Sequence, residues 1–131
     1  MADGNAHDRQ LLSGWLAAAG YDVLVAGDGS EVVNTVRSRP LDLVLLNTSF
    51  PPDVAHGGGA FEDGFKIIEW LNRFQESEGV RFLLMTDEDA AQLQNKARAT
   101  GAKVLFQKPV NQPTLLGVVQ RILSGSSEPA E

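Results

Sequence analysis

Cysteine is absent from the 131 residues, which excludes disulfides and thiolate metal sites and suits a reducing compartment. There is no basic cluster either: eleven lysines and arginines are scattered among seventeen acidic residues, for a formal charge of −6. Such a surface repels nucleic acid and anionic lipid, so direct DNA binding is not expected. No apolar run approaches the roughly 18 residues of a membrane span, and no charged-then-apolar leader opens the chain. A cytoplasmic location is the expectation. Histidine is sparse as well. His7 and His56 stand far apart without cysteine partners and read as solvated surface residues, not ligands. The run Gly57-Gly58-Gly59 lacks the Gly-Lys-Ser/Thr ending of a phosphate cradle and reads as a flexible insertion. What is present is 43% apolar and 21% charged residues over a length that suits one compact domain.

The apolar residues are ordered. Leu41-Asp42-Leu43-Val44-Leu45-Leu46-Asn47 is a nearly unbroken run of strand length, apolar at both alternating positions, as a strand covered on both faces requires. Before it, Leu11, Leu12, Trp15, Leu16 and Ala19 recur at helical spacing between a candidate cap, Asn5, and a stop, Gly20. Tyr21 to Ala26 reads as a strand, and Ser30 as the cap of a helix carrying Val32, Val33 and Val36. A long loop follows from Asn47 to about Asp63, in which Phe50, Val54 and Phe61 are apolar residues suited to a partner. Phe65 to Phe74 is the next helix, Arg81 to Thr86 a buried strand, and Asp87 to Thr100 a polar helix. Lys103 to Gln107 is the last strand and Asn111 to Leu123 the closing helix; Trp15 and Trp70 are expected in the core. Residues 1–124 form the domain and 125–131 a tail or linker. An opening helix followed by four strand–helix units predicts an α/β domain with a parallel sheet and right-handed crossovers. Functional groups in such sheets gather at the carboxyl ends of the strands.

Gly20-Tyr21-Asp22-Val23, the run ending at Asn47, Asp63-Gly64-Phe65, Leu84-Met85-Thr86, Gly101-Ala102 and Lys108-Pro109-Val110 resemble, in order and spacing, the receiver domain of two-component response regulators. The resemblance spans about residues 3 to 124 and implies a flavodoxin-like (CheY-like) three-layer sandwich. It also implies that a first strand, central in the family between 21–26 and 41–46, is missing or truncated here. A clipped chain, or Met1 to Gly4 together with a neighbouring chain filling the gap, would account for it, with homodimers or strand exchange as a consequence.

By the same resemblance, Asn47 occupies the position of the phosphoacceptor aspartate, while Thr86 and Lys108 match the residues that contact phosphoryl oxygens. Asp3 and Ser49 match vestiges of the Mg²⁺ site, Ser49 through its carbonyl, but Gly4 stands where a second acid belongs. Leu105 takes the switch position, usually aromatic, with Phe106 beside it. Lys108 is expected to pair with Asp3 or hydrogen-bond the Asn47 amide, and the Lys108–Pro109 bond to be cis. A carboxamide is a weak, neutral nucleophile, and Mg²⁺ prefers anionic oxygens. The expectation is therefore a non-enzymatic, atypical receiver, with Mg²⁺ weak or absent and no other cofactor. It regulates by phosphorylation-independent contact with a histidine kinase, effector domain or other signalling protein through about residues 88–124. Two alternatives stay open. One is a phosphoaccepting receiver carrying an engineered Asp-to-Asn change at Asn47 or a substitute acceptor such as Asp53. The other is a small-ligand binder using the strand-end crevice.

Overall fold

The computed structural model describes residues 1–50, 62–75 and 78–124. Its elements are α1 (Ala6–Ala18), α2 (Gly29–Ser38), β1 (Leu43–Asn47), α3 (Gly64–Leu71), β2 (Arg81–Thr86), α4 (Ala90–Thr100), β3 (Val104–Gln107) and α5 (Gln112–Leu123). The strands are parallel in the order β1-β2-β3, with Leu46 opposite Leu84 and Leu84 opposite Leu105.

Side-chain alternation explains why the strands are apolar throughout. Val44, Leu46, Phe82, Leu84 and Leu105 pack with Val33, Ile67, Ile68 and Ala97 from α2, α3 and α4. Leu45, Leu83, Met85 and Phe106 pack with Leu12, Leu16, Leu115 and Val119 from α1 and α5. The sheet is thus the middle of three layers, buried on both faces. Truncating one such leucine to alanine in a core of this kind costs about 2–5 kcal/mol.

Helix ends follow capping chemistry. Asn5 caps α1 by accepting from the Asp8 N–H at 3.0 Å, and Gly20 follows its end at φ +100°, a conformation that suits glycine. Asp63, Asp89 and Asn111 cap α3, α4 and α5. The cap of α2 is Asp28 and not Ser30: the Asp28 carboxylate takes the Glu31 N–H at 2.9 Å, and Glu31 reaches back to the Gly27 N–H at 2.6 Å. That reciprocal pair closes the first turn two residues earlier than expected, and Ser30 is buried inside the helix.

Other expectations are corrected. Tyr21 to Val25 forms no ladder; only Ala26 bridges, to Ala2. A strand needs a partner on at least one side, and among the described residues the lane beside this segment holds Met1 to Asp3. Within that lane the Ala2 N–H donates to Leu45 O at 2.7 Å, the Asn47 N–H to Ala2 O at 3.0 Å and the Asp3 N–H to Ala26 O at 3.1 Å. Met1 to Asp3 thus lie between Ala26 and β1, bridged to both through Ala2. Asp87 and Glu88 precede α4 instead of starting it. Trp70 is 38% exposed, because Ile67, Ile68 and Leu71 define the inward face of α3 and position 70 lies at its edge. There its ring meets Phe74 edge-on at 5.5 Å, and the Arg73 guanidinium lies 5.4 Å from its centroid. Trp15 is only partly buried and Leu11 is exposed. Phe50 is buried in the core and its N–H donates to Glu62 O at 2.7 Å, which closes the base of the long loop. Asp53, Val54, His56, Gly57 to Gly59, Phe61 and the tail 125–131 lie outside the described residues.

Candidate functional site

The polar side chains at the carboxyl edge of the sheet come from three places: the segment before α1 (Asp3), the strand ends (Asn47, Thr86) and the segment after β3 (Lys108). Each is held by the local chain. The Asp3 backbone is fixed between Ala26 and Arg9, whose Nη1 donates to Asp3 O at 2.7 Å. Its carboxylate, with the residue 1% exposed, accepts the Asn5 N–H at 2.9 Å and the Lys108 ammonium at 2.6 Å.

Lys108 is the electrostatic centre. Its Nζ also donates to Asp8 Oδ2 at 2.9 Å, so one ammonium bridges two carboxylates, from the segment before α1 and from α1 itself. Burial alone would lower its pKa, but the hydrogen bonds to Asp3 and Asp8 and the attraction of Asp3 and Asp87 outweigh it and hold the pKa above the ordinary lysine value. Lys108 N–H donates to Thr86 O at 2.9 Å, and the Lys108–Pro109 bond is cis, as expected.

Asn47 is buried, and its amide is oriented by the chain ahead of it: Nδ2 donates to the Ser49 carbonyl at 2.8 Å. A carbonyl can only accept, so the NH₂ must face Ser49 and Oδ1 must face the other way. That oxygen is buried and has no hydrogen-bond partner among the described residues. Of the two expectations for Lys108, pairing with Asp3 is the one the geometry shows. Gly64 is required next to this site. Its N–H donates to Thr48 O at 2.8 Å, and a β-carbon there would collide with the Asn47 carbonyl oxygen.

Thr86 is fully buried, and its hydroxyl accepts both the Thr48 hydroxyl and the Glu88 N–H at 3.0 Å. It therefore ties β1 to β2 and shapes the turn into α4. Gln107 completes that turn, with Oε1 accepting the Ala90 N–H at 2.9 Å and Nε2 donating to Glu88 O at 2.7 Å. Leu105 lies away from this cluster, packed towards α3 and α4, and Phe106 faces α1 and α5. The site thus pairs Asp3 with Lys108 and Asn47 with Ser49, places Thr86 at the strand end next to Asn47's, and leaves Leu105 in the core. Asp8 and Thr48 were not foreseen. Asp8 in a first helical turn looks like dipole compensation, and only its helical placement after Asp3 hints at a second role. Among the described residues no three His, Asp or Glu side chains cluster as a metal site would require.

A parallel sheet covered on both faces, with its polar residues gathered at the carboxyl edge, defines a CheY-like flavodoxin fold. The family model of the response regulator receiver domain matches residues 1–120, and the chain belongs to that family. Protein PilH of Pseudomonas aeruginosa is 24% identical over 125 residues, 95% of this chain and 96% of that protein. The DNA-binding transcriptional regulator NtrC of Azospirillum brasilense is 25% identical over 130 residues, but the chain spans only 25% of its length. The chemotaxis response regulator CheY4 of Vibrio cholerae superposes with a TM-score of 0.78 at 26% identity, covering 92% of this chain and 93% of that one. The chain is thus a receiver domain of two-component signalling. No helix among the described residues is long and apolar enough to cross a membrane.

Proposed function

We propose that this receiver domain signals by protein contact and does not pass through an aspartyl phosphate at position 47. One observation carries the reading. Two of the three oxygens that a receiver's Mg²⁺ would take are already met by an N–H of this chain: Ser49 O by the Asn47 amide and Asp3 Oδ2 by the Lys108 ammonium. The remaining donor, Asn47 Oδ1, is neutral. One engaged carboxylate and neutral oxygens make a poor set for a small hard dication, so the residues do not fit Mg²⁺. The carboxamide is also no nucleophile for phosphoryl transfer. Asp8 takes the second side of Lys108 and so supplies internally an anion that a phosphoryl group would otherwise bring.

In this reading the domain is regulatory and not an enzyme, and it works in the cytoplasm. Its partner is a histidine kinase, an effector domain or another signalling protein, engaged through α4, β3 and α5, about residues 88–124. Incubation with Mg²⁺ and acetyl phosphate, or with beryllofluoride, is expected to leave the intact mass and the amide spectrum unchanged. A stable phosphoryl adduct overturns the proposal.

The second reading is a phosphoaccepting receiver with Asn47 in place of an aspartate, favoured by Thr86 and Lys108 standing at their strand ends. It requires that Asn47→Asp alone restore rapid, acid-stable and base-labile labelling.

A further inference from the structure

Where α3 ends, the chain builds an ordered group of rings and cations on its surface. The Arg73 N–H donates to Trp70 O at 3.2 Å and the Phe74 N–H to Leu71 O at 3.0 Å, so two tight turns carry the path of the helix past Leu71. They set Phe74 edge-on to Trp70, with ring centroids 5.5 Å apart. From α2, the Arg37 guanidinium lies over the Phe74 ring at 4.1 Å, and Arg73 lies over Trp70 at 5.4 Å. The order across the surface is cation, ring, ring, cation. Trp70 is 38% exposed, and Arg37, Arg39 and Arg73 are exposed beside it.

A single exposed ring is ordinary on a surface, and a cation near a helix end compensates the dipole. Neither accounts for guanidiniums held over rings. In that position a guanidinium keeps N–H donors at its rim, in the fork that a carboxylate fills. Among the described residues no carboxylate forms an ion pair with Arg39 or Arg73. Both helices run back to the amino ends of the strands, whereas the exposed run Asp87-Glu88-Asp89 follows the carboxyl end of β2. With a formal charge of −6, the chain repels an acidic ligand over most of its surface and admits it here. A nucleic acid also carries anions, but one face of each ring is already taken by a guanidinium, and the overall charge opposes a phosphate backbone.

We propose that the surface formed by Arg37, Arg39, Trp70, Arg73 and Phe74 binds an acidic segment of another polypeptide, one with an aromatic side chain among its carboxylates. The carboxylates meet the Arg39 and Arg73 guanidiniums, and the aromatic side chain packs on the exposed part of Trp70. This surface belongs to α2 and the end of α3, outside the face of α4, β3 and α5, and it stands whether or not Asn47 accepts phosphate.

The test titrates the ¹⁵N-labelled chain with the copolymer poly-Glu-Tyr and follows the Trp70 indole and Arg73 side-chain N–H signals. Expected are shifts confined to residues 37–39 and 70–74, loss of binding when NaCl is raised from about 0.05 to about 0.5 M, and weaker binding of poly-Glu, which has no ring. Arg73→Gln should weaken binding about fivefold, while Lys103→Gln, which removes the same charge at an exposed position just before β3, should leave it unchanged. The amide spectra of the unliganded variants check that both keep the fold. No binding, equal weakening by the two variants, or shifts centred elsewhere overturns the proposal. So does tighter binding of oligothymidylate than of poly-Glu-Tyr, which would mark a nucleic-acid surface. Self-association in sedimentation that Arg73→Gln abolishes also overturns it, because the occupant is then a second copy of this chain.

Discussion

Lys108→Met separates a structural ion bridge from an idle remnant. Methionine keeps most of the side-chain volume and removes the ammonium, leaving the Asp3 carboxylate, only 2% exposed in its side chain, with the Asn5 N–H as its remaining polar partner in the site. Removing one partner of a buried ion pair costs about 3–5 kcal/mol, because the other charge stays desolvated. Asp8→Asn should cost far less, about 1 kcal/mol, since that side chain is 30% exposed and water can replace the lost contact. Urea unfolding of the two single variants, of Asp3→Asn and of the Asp3→Asn/Lys108→Met pair completes a double-mutant cycle. The pair should lose less than the sum of its singles by at least about 1 kcal/mol, because no unpaired charge is left buried. The pH dependence has a defined sign. The folded pKa of Lys108 lies above its ordinary 10.5, so its contribution is fully present below that value and is lost as pH rises through the folded pKa. A Lys108→Met protein within about 1 kcal/mol of the parent, or strictly additive singles, would refute the reasoning.

Gly64→Ala places a β-carbon against the Asn47 carbonyl and 3.1 Å from Thr48 Cα, both backbone, so it should destabilise by about 2–3 kcal/mol in urea unfolding. Gln107→Ala removes the bonds to Ala90 N–H and Glu88 O and should cost about 1–2 kcal/mol, with faster amide exchange confined to the turn before α4.

The three-layer plan was legible because period-2 and period-3.6 patterns are written in apolar residues, and both faces of β1 and β2 are apolar. Helix ends marked by Asn5 and Gly20 were legible from equally local signals. What escaped was decided by contacts distant in sequence or by competition between neighbours. Tyr21 to Val25 carries a strand's composition, but strand state requires a paired lane, and among the described residues only Ala26 is bridged, to Ala2. Trp70 is hydrophobic enough for the core, yet the axis of α3 puts Ile67 and Ile68 there first. Ser30 lost the cap to Asp28 because the aspartate takes the Glu31 N–H and so starts the helix at Gly29, ahead of Ser30. In the site, position and residue type were readable for Asp3, Asn47, Thr86 and Lys108. Which of two acceptors Lys108 takes was not, since Asp3 lies 105 residues away in sequence and only the folded chain brings it to the ammonium.

Charge balance links these observations. An aspartate at position 47 would add a further carboxylate beside Asp3, turn a bare oxygen towards the Ser49 carbonyl, and call for a metal to hold them together. The amide removes that demand at its source, because it donates to the carbonyl that a cation would otherwise bind. Lys108 neutralises Asp3 at 2.6 Å, and Asp8 meets it from the other side at 2.9 Å. The three features are therefore one solution: a neutral Asn47, a lysine bound to two carboxylates, and α1 tied to the β3–α5 segment. A receiver that cycles through a phosphorylated state needs its lysine able to change partners. Here both partners, Asp3 and Asp8, are built into the fold, and that is what supports the proposed signalling by contact in one state.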